Sequence, residues 1–221
     1  MYLLFGSGIC LTACEKSGQE IPADTVTEAT FSRSIHLQEQ GIKKDMEYTV
    51  SDNINYGAGF TDSIPTANGS NMFYLFIQGN SSVDLSKNKS VSFNPIPSVT
   101  GSFAEGISFL IDRNKLKPGY VGIYDLSSNA SLPVWKTQYS YSYLGTEGLK
   151  SNISDSKTGL IFRGQVTIEK YDRLQNCISG TYSAVHNLNS DPTKFNMLID
   201  PLDHCEVVLR GTFTNVKIRS N

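Results

Sequence analysis

The chain has 221 residues, with 19 basic against 21 acidic side chains and a charged fraction of only 18%. No basic block of the kind that tracks phosphates occurs, which argues against nucleic acid as a partner. The length suits one large β domain or two small ones, and abundant Ser, Thr, Asn, Gly and Tyr suit strands and turns.

The chain opens on an uncharged, mostly apolar run, Leu3-Leu4-Phe5-Gly6-Ser7-Gly8-Ile9-Cys10-Leu11-Thr12-Ala13-Cys14, which gives way at once to Glu15-Lys16-Ser17-Gly18. A dozen helical residues cover ~18 Å against a hydrocarbon core of ~30 Å, so the run fits a secretory h-region rather than a membrane span. A buried N-terminal strand or helix with an ordinary Cys is the alternative. Leu11-Thr12-Ala13-Cys14 resembles the lipobox of bacterial lipoproteins. That resemblance implies cleavage before Cys14 and acylation of its thiol, with residues 1–13 as the signal peptide. Two or three acyl chains hold a protein on a bilayer far more firmly than one. Met1-Tyr2 departs from the usual basic start of such leaders. Glu15 rather than Asp follows the Cys, which by the same resemblance points to the outer membrane.

Residues 14–29 hold hardly an apolar side chain and read as a flexible, disordered tether. Between Phe31 and Val50, Ile35, Leu37 and Ile42 read as one strand with Gln38-Glu39-Gln40-Gly41 as a turn; a helix is the alternative. After Asp52 the texture is plainly β. Strands are expected at 71–77, 91–93, 106–111 and 120–124, punctuated by Pro95, Pro97 and Lys117-Pro118-Gly119.

Residues 134–144 alternate, with Trp135, Thr137, Tyr139, Tyr141 and Tyr143 on one face. Two readings stand: an aromatic platform on which sugars stack through Trp135, Tyr139, Tyr141 and Tyr143, or a core face, where Tyr and Trp are common. Residues 145–156 read as a polar loop. A strand follows at 160–170, and Tyr171–Asn176 turns the chain.

Two echoing strands come last, Ile178-Ser179-Gly180-Thr181-Tyr182-Ser183 and Leu209-Arg210-Gly211-Thr212-Phe213-Thr214. A Gly inside a strand lets an aromatic ring lie across bare backbone or marks a bulge, so the two read as neighbours in one sheet. In an antiparallel hairpin of 178–185 and 206–215, Cys177 and Cys205 fall at opposite ends, ~20 Å apart. A disulfide needs Cα atoms near ~5.5 Å, so free, part-buried thiols are expected. Asp203-His204-Cys205 gathers three metal-ligand types, but neighbours on a strand face opposite ways, and the trio reads as a turn. The 160–218 stretch, with Ile178-Ser-Gly-Thr-Tyr182 and Gly211-Thr-Phe-Thr-Asn215, resembles the C-terminal part of Bacteroidetes-group lipoproteins of unassigned function.

Of the imidazoles, His36, His186 and His204, none sits in a hydrolase motif. There is no Gly-x-Ser-x-Gly elbow, His-Glu-x-x-His pair or phosphate-cradling Gly loop. No catalytic residue, metal site or cofactor is therefore expected. Asp24-Thr25-Val26 and Asp62-Ser63-Ile64 resemble the Asp-(Ser/Thr)-apolar acceptor of bacterial O-glycosylation, which would make Thr25 and Ser63 glycan carriers. Taken together, the sequence reads as an all-β protein, a mainly antiparallel β-sandwich over 30–221. It would sit on the outer membrane through lipidated Cys14 and act without catalysis, as a binding or structural module for glycan or envelope protein partners.

Overall fold

A computed structural model describes residues 26–39, 42–50, 54–61, 72–84, 100–126, 134–145, 148–155, 162–188 and 204–219. The strands are β1 (Glu28–Ala29), β2 (Phe31–Glu39), β3 (Ile42–Val50), β4 (Ile54–Thr61), β5 (Met72–Asp84), β6 (Thr100–Asp112), β7 (Gly122–Leu126), β8 (Val134–Gly145), β9 (Gly148–Asp155), β10 (Phe162–Asp172), β11 (Cys177–Leu188) and β12 (His204–Arg219). Among the described residues a 3-10 turn, Arg113–Lys115, interrupts them. Among the described residues no helix is long and apolar enough to cross a membrane.

The all-β expectation is met, but the layout is one mixed sheet rather than two separate antiparallel ones. Its order is β7-β10-β11-β12-β4-β5-β6-β8-β9, with β1 and β2 on β12 and β3 on β2. The ladders are antiparallel except where β12 meets β4, at Ile218 opposite Ala58 and Arg219 opposite Gly59. That short parallel contact joins two halves, β7-β10-β11-β12 and β4-β5-β6-β8-β9, and the sheet curls so that one face of each turns inward. Phe109 of β6 meets Tyr182 of β11 at 5.8 Å between ring centroids, and Phe73 of β5 stacks on Tyr120 at 5.8 Å. Residues from both halves thus share one apolar core.

β12 is the spine of the fold, paired with β11 along one side and with β2, β1 and β4 in turn along the other. Its inward residues run Cys205, Val207, Leu209 and Phe213, then shift parity to Val216 and Ile218. The shift has a cause: Ile178 faces Val216 while Gly180 faces Phe213, so β12 carries one extra residue there. Asn215 absorbs that bulge at φ 54°, a left-handed value that Asn tolerates, and its N–H bonds Ser179 Oγ at 2.9 Å.

The echoed Gly-Thr-aromatic triplets pair with each other as expected. Thr181 faces Thr212, which sets Gly180 opposite Phe213 and Tyr182 opposite Gly211. Each ring lies over the partner's bare glycine: a Cβ at Gly180 would stand 2.8 Å from Phe213 Cζ, and one at Gly211 would stand 2.7 Å from Tyr182 Cε1. The same ladder places Cys177 opposite Lys217 and Cys205 opposite Leu188, at its two ends, and neither forms a disulfide.

Four sequence readings are corrected. The segment 31–50 forms a hairpin of two strands, β2 and β3, with Gln38 and Glu39 inside β2 rather than in the turn. Residues 148–155, read as loop, form β9 against β8; main-chain hydrogen bonding builds such an edge strand without any apolar alternation to reveal it. His204 and Cys205 open β12 rather than forming a turn, with His204 exposed and Cys205 buried on opposite faces. The tether also ends earlier than expected, because Glu28 and Ala29 pair with Thr214 and Phe213 and tie the chain to β12. The expected strand 91–93 lies outside the described residues.

Candidate functional site

The row of aromatics on β8 resolves in part. Tyr139 is 0% and Tyr141 2% exposed, so neither ring face is open to a sugar, and the stacking platform is corrected to a core face at these two positions. The side chains of Trp135 and Tyr143 lie outside the described ones, as do Cys14, Thr25 and Ser63 altogether.

Tyr139 instead takes part in a buried polar clamp that sequence reasoning missed. Its hydroxyl donates to Glu105 Oε1 at 2.5 Å. Arg33 Nε stands 2.7 Å from the same oxygen, and the Arg33 guanidinium lies 5.9 Å from the centre of the Tyr141 ring. Glu105 is completely buried, and only 9% of the Arg33 side chain is exposed. Arg33 belongs to β2 and Glu105 to β6, so the pair bridges the two halves of the sheet. Burial, and then the Glu105 charge, pushes the Tyr139 hydroxyl well above the usual tyrosine range, and the same causes raise Tyr182. With Glu105 and Tyr139 both at 0% exposure, the clamp presents no open face at these two side chains.

The open chemistry lies on the outer face, where β3, β2, β12 and β11 run side by side. Register sets Asp45, His36, Glu206 and Asn187 in one row across these four strands, with Lys43, Gln38 and His204 in the next row. Inward neighbours such as Leu37 and Cys205 are buried, because alternation sends them to the core. These groups line an open groove of about 620 Å³. His36 Nδ1 stands 2.8 Å from Asp45 Oδ1, with both side chains well exposed. Arg163 approaches Glu206 at 3.6 Å on the rim, where an ion pair contributes at most about 1 kcal/mol.

The His36–Asp45 pair matches the base-and-orienter half of a hydrolytic site. The described lining supplies no hydroxyl nucleophile to complete it, and its thiol, Cys205, is only 2% exposed. Among the described residues no three His, Cys, Asp or Glu side chains converge as a metal site. What the groove offers is alternating donors and acceptors: two carboxylates, two imidazoles, two amides and one ammonium. The sequence signal was the run of polar residues at every second position of β2 and β3, which became a site only once register aligned them. Comparison with protein-family models, with curated proteins and with solved structures finds no match to this chain.

Proposed function

We propose that the chain is a non-catalytic cell-envelope lipoprotein, held on the outer membrane through Cys14. On this reading the curled sheet serves as a sandwich-like domain that carries the His36–Asp45–Glu206 groove away from the bilayer. The observation that supports it most is one of placement. The N-terminal segment joins the fold beside β1, where Asn215 Nδ2 donates to Val26 O at 2.9 Å. That is the end of the β11–β12 ladder holding Cys177 and Lys217, whereas the groove lies at the end holding Leu188 and Cys205. Eleven residue steps of β11 separate the two ends, ~37 Å of strand.

The ligand class that suits the groove is a hydroxyl-rich chain such as a glycan, because alternating amides, carboxylates and imidazoles can each bond an exposed hydroxyl. Mass spectrometry of the mature N-terminus tests the anchor: a diacylated or triacylated Cys14 is expected, and a chain that keeps Met1 and stays wholly in the aqueous phase of a detergent separation overturns it. A glycan array tests the groove. Binding that survives Trp135→Ala but is lost in His36→Ala and Glu206→Ala, with unchanged melting temperature, is the expected pattern.

A further inference from the structure

Among the described residues, the exposed large apolar side chains are Val26, Val121, Ile123 and Leu174. Scattered singly they would need no explanation, but three of them lie at the one end of the strands where the N-terminal segment joins the fold. Leu174, 98% exposed, tips the turn between β10 and β11. Val26 lies beside Asn215, next to the Val216–Ile178 pair two residues from that turn. Val121 follows the 113–120 loop, whose Tyr120 ring packs edge-on against Tyr171 at 4.7 Å. Ile123 stands a little further up, on edge strand β7.

Cations surround this apolar tip. Arg113, Lys117, Arg173 and Lys217 are exposed here, while two of the neighbouring acids are turned into the backbone. Asp112 accepts the Asn114 N–H at 2.9 Å, and Asp172 accepts those of Leu174 and Gln175 at 2.9 and 3.1 Å. Glu169, Glu28 beside Val26 and, further along β7, Asp125 are the exposed acids nearby among the described residues. Those same bonds, with Asn176 at φ 54°, fix Leu174 at the apex of a built turn, so seating it elsewhere costs little ordering entropy.

We propose that this end of the domain is a bilayer-facing surface: Leu174 and Val121 enter the headgroup boundary while Arg113, Lys117, Arg173 and Lys217 meet anionic lipid phosphates. The inference rests on the lipid-anchor reading for its setting. Chain length selects the occupant. Eleven residues, 15–25, separate Cys14 from Val26, a maximum reach of ~40 Å. Seating the groove end on the bilayer would use nearly all of that reach to pass the ~37 Å ladder, whereas the Leu174 end needs almost none. Even weak surface affinity then suffices, because tethering makes the contact intramolecular.

The test uses the full chain carrying Cys14→Ser, sedimented at low salt with vesicles of phosphatidylglycerol mixed with phosphatidylethanolamine, and with vesicles of phosphatidylcholine. Whatever residues 1–13 add is common to every variant, so the differences report this surface. Leu174→Ser should weaken binding to the anionic vesicles about tenfold, and Arg173→Gln and Lys217→Gln about fivefold each. Lys43→Gln, at the opposite end of the strands, should leave vesicle binding as it is in the parent chain. A tryptophan placed by Leu174→Trp should be quenched by brominated lipid and one placed by Asn187→Trp should not. Equal binding by all variants, equal loss with Lys43→Gln, or quenching at Asn187→Trp alone overturns the proposal; so does failure of every form to bind anionic vesicles, which would leave this end to a protein partner. Failure of the anchor reading would appear separately, as an unacylated Cys14 in the native protein beside unchanged vesicle data.

Discussion

Replacing Glu105 by Gln keeps the side chain's shape and removes its charge. In the wild type the carboxylate is fully buried, with Arg33 Nε at 2.7 Å and the Tyr139 hydroxyl at 2.5 Å on the same oxygen. Two unit charges with centres ~4 Å apart, in a medium of effective dielectric near 20, attract by about 4 kcal/mol. Glu105→Gln therefore removes the counter-charge 2.7 Å from Arg33 in an almost closed site, and the expected loss is ~3 to 5 kcal/mol. That is a large share of a domain stability of ~5 to 15 kcal/mol. Urea unfolding followed by circular dichroism measures it, and an unchanged m value would show that the native and unfolded states keep their extents. The apolar pair Arg33→Met with Glu105→Leu should lose much less than the two single variants added together, because no charge is then stranded. A loss below ~1 kcal/mol for Glu105→Gln, or strict additivity in the double variant, would refute the claim that this clamp joins the halves of the sheet.

Three further outcomes follow from the same packing. Gly180→Ala should destabilise by ~1 to 3 kcal/mol or more, because its Cβ would run into Thr167 O and the Phe213 ring, and Gly211→Ala should do likewise against Thr30 O and Tyr182; melting curves that match the wild type would contradict the reciprocal packing. Tyr139 and Tyr182 hold their protons, raised by burial and then by Glu105, when tyrosines of the unfolded chain ionise near ~10. Their contribution to stability is thus complete below that pH and is lost as pH climbs above it, so alkaline unfolding should be shallower in Tyr139→Phe with Tyr182→Phe; a native ultraviolet titration in which every tyrosine ionises together would refute this. Cys177 and Cys205 are buried and form no disulfide, and burial, then Asp172, raises the Cys177 thiol. Both should resist a thiol reagent until denaturant is added and show no dependence on reductant, and prompt labelling of either in the folded protein would show the site to be open.

Much of the strand pattern was legible because it is local. Apolar runs such as Met72–Ile77 and the alternation of 134–144 mark strands whatever they pack against. The two Gly-Thr-aromatic triplets announced each other, since an antiparallel pairing centred on Thr181 and Thr212 sets each glycine under the other's ring. The separation of Cys177 from Cys205 followed from the same ladder. A two-fold period, however, names two faces without saying which is covered. Tertiary packing put Tyr139 and Tyr141 inside, and it brought Arg33 to Glu105 across the curl of the sheet. It also aligned Asp45, His36 and Glu206 into one row and left Val26, Val121 and Leu174 exposed at the opposite end of the strands. Residues far apart in the chain meet only through strand order and register, and those are fixed by the summed burial of the whole sheet rather than by any one segment.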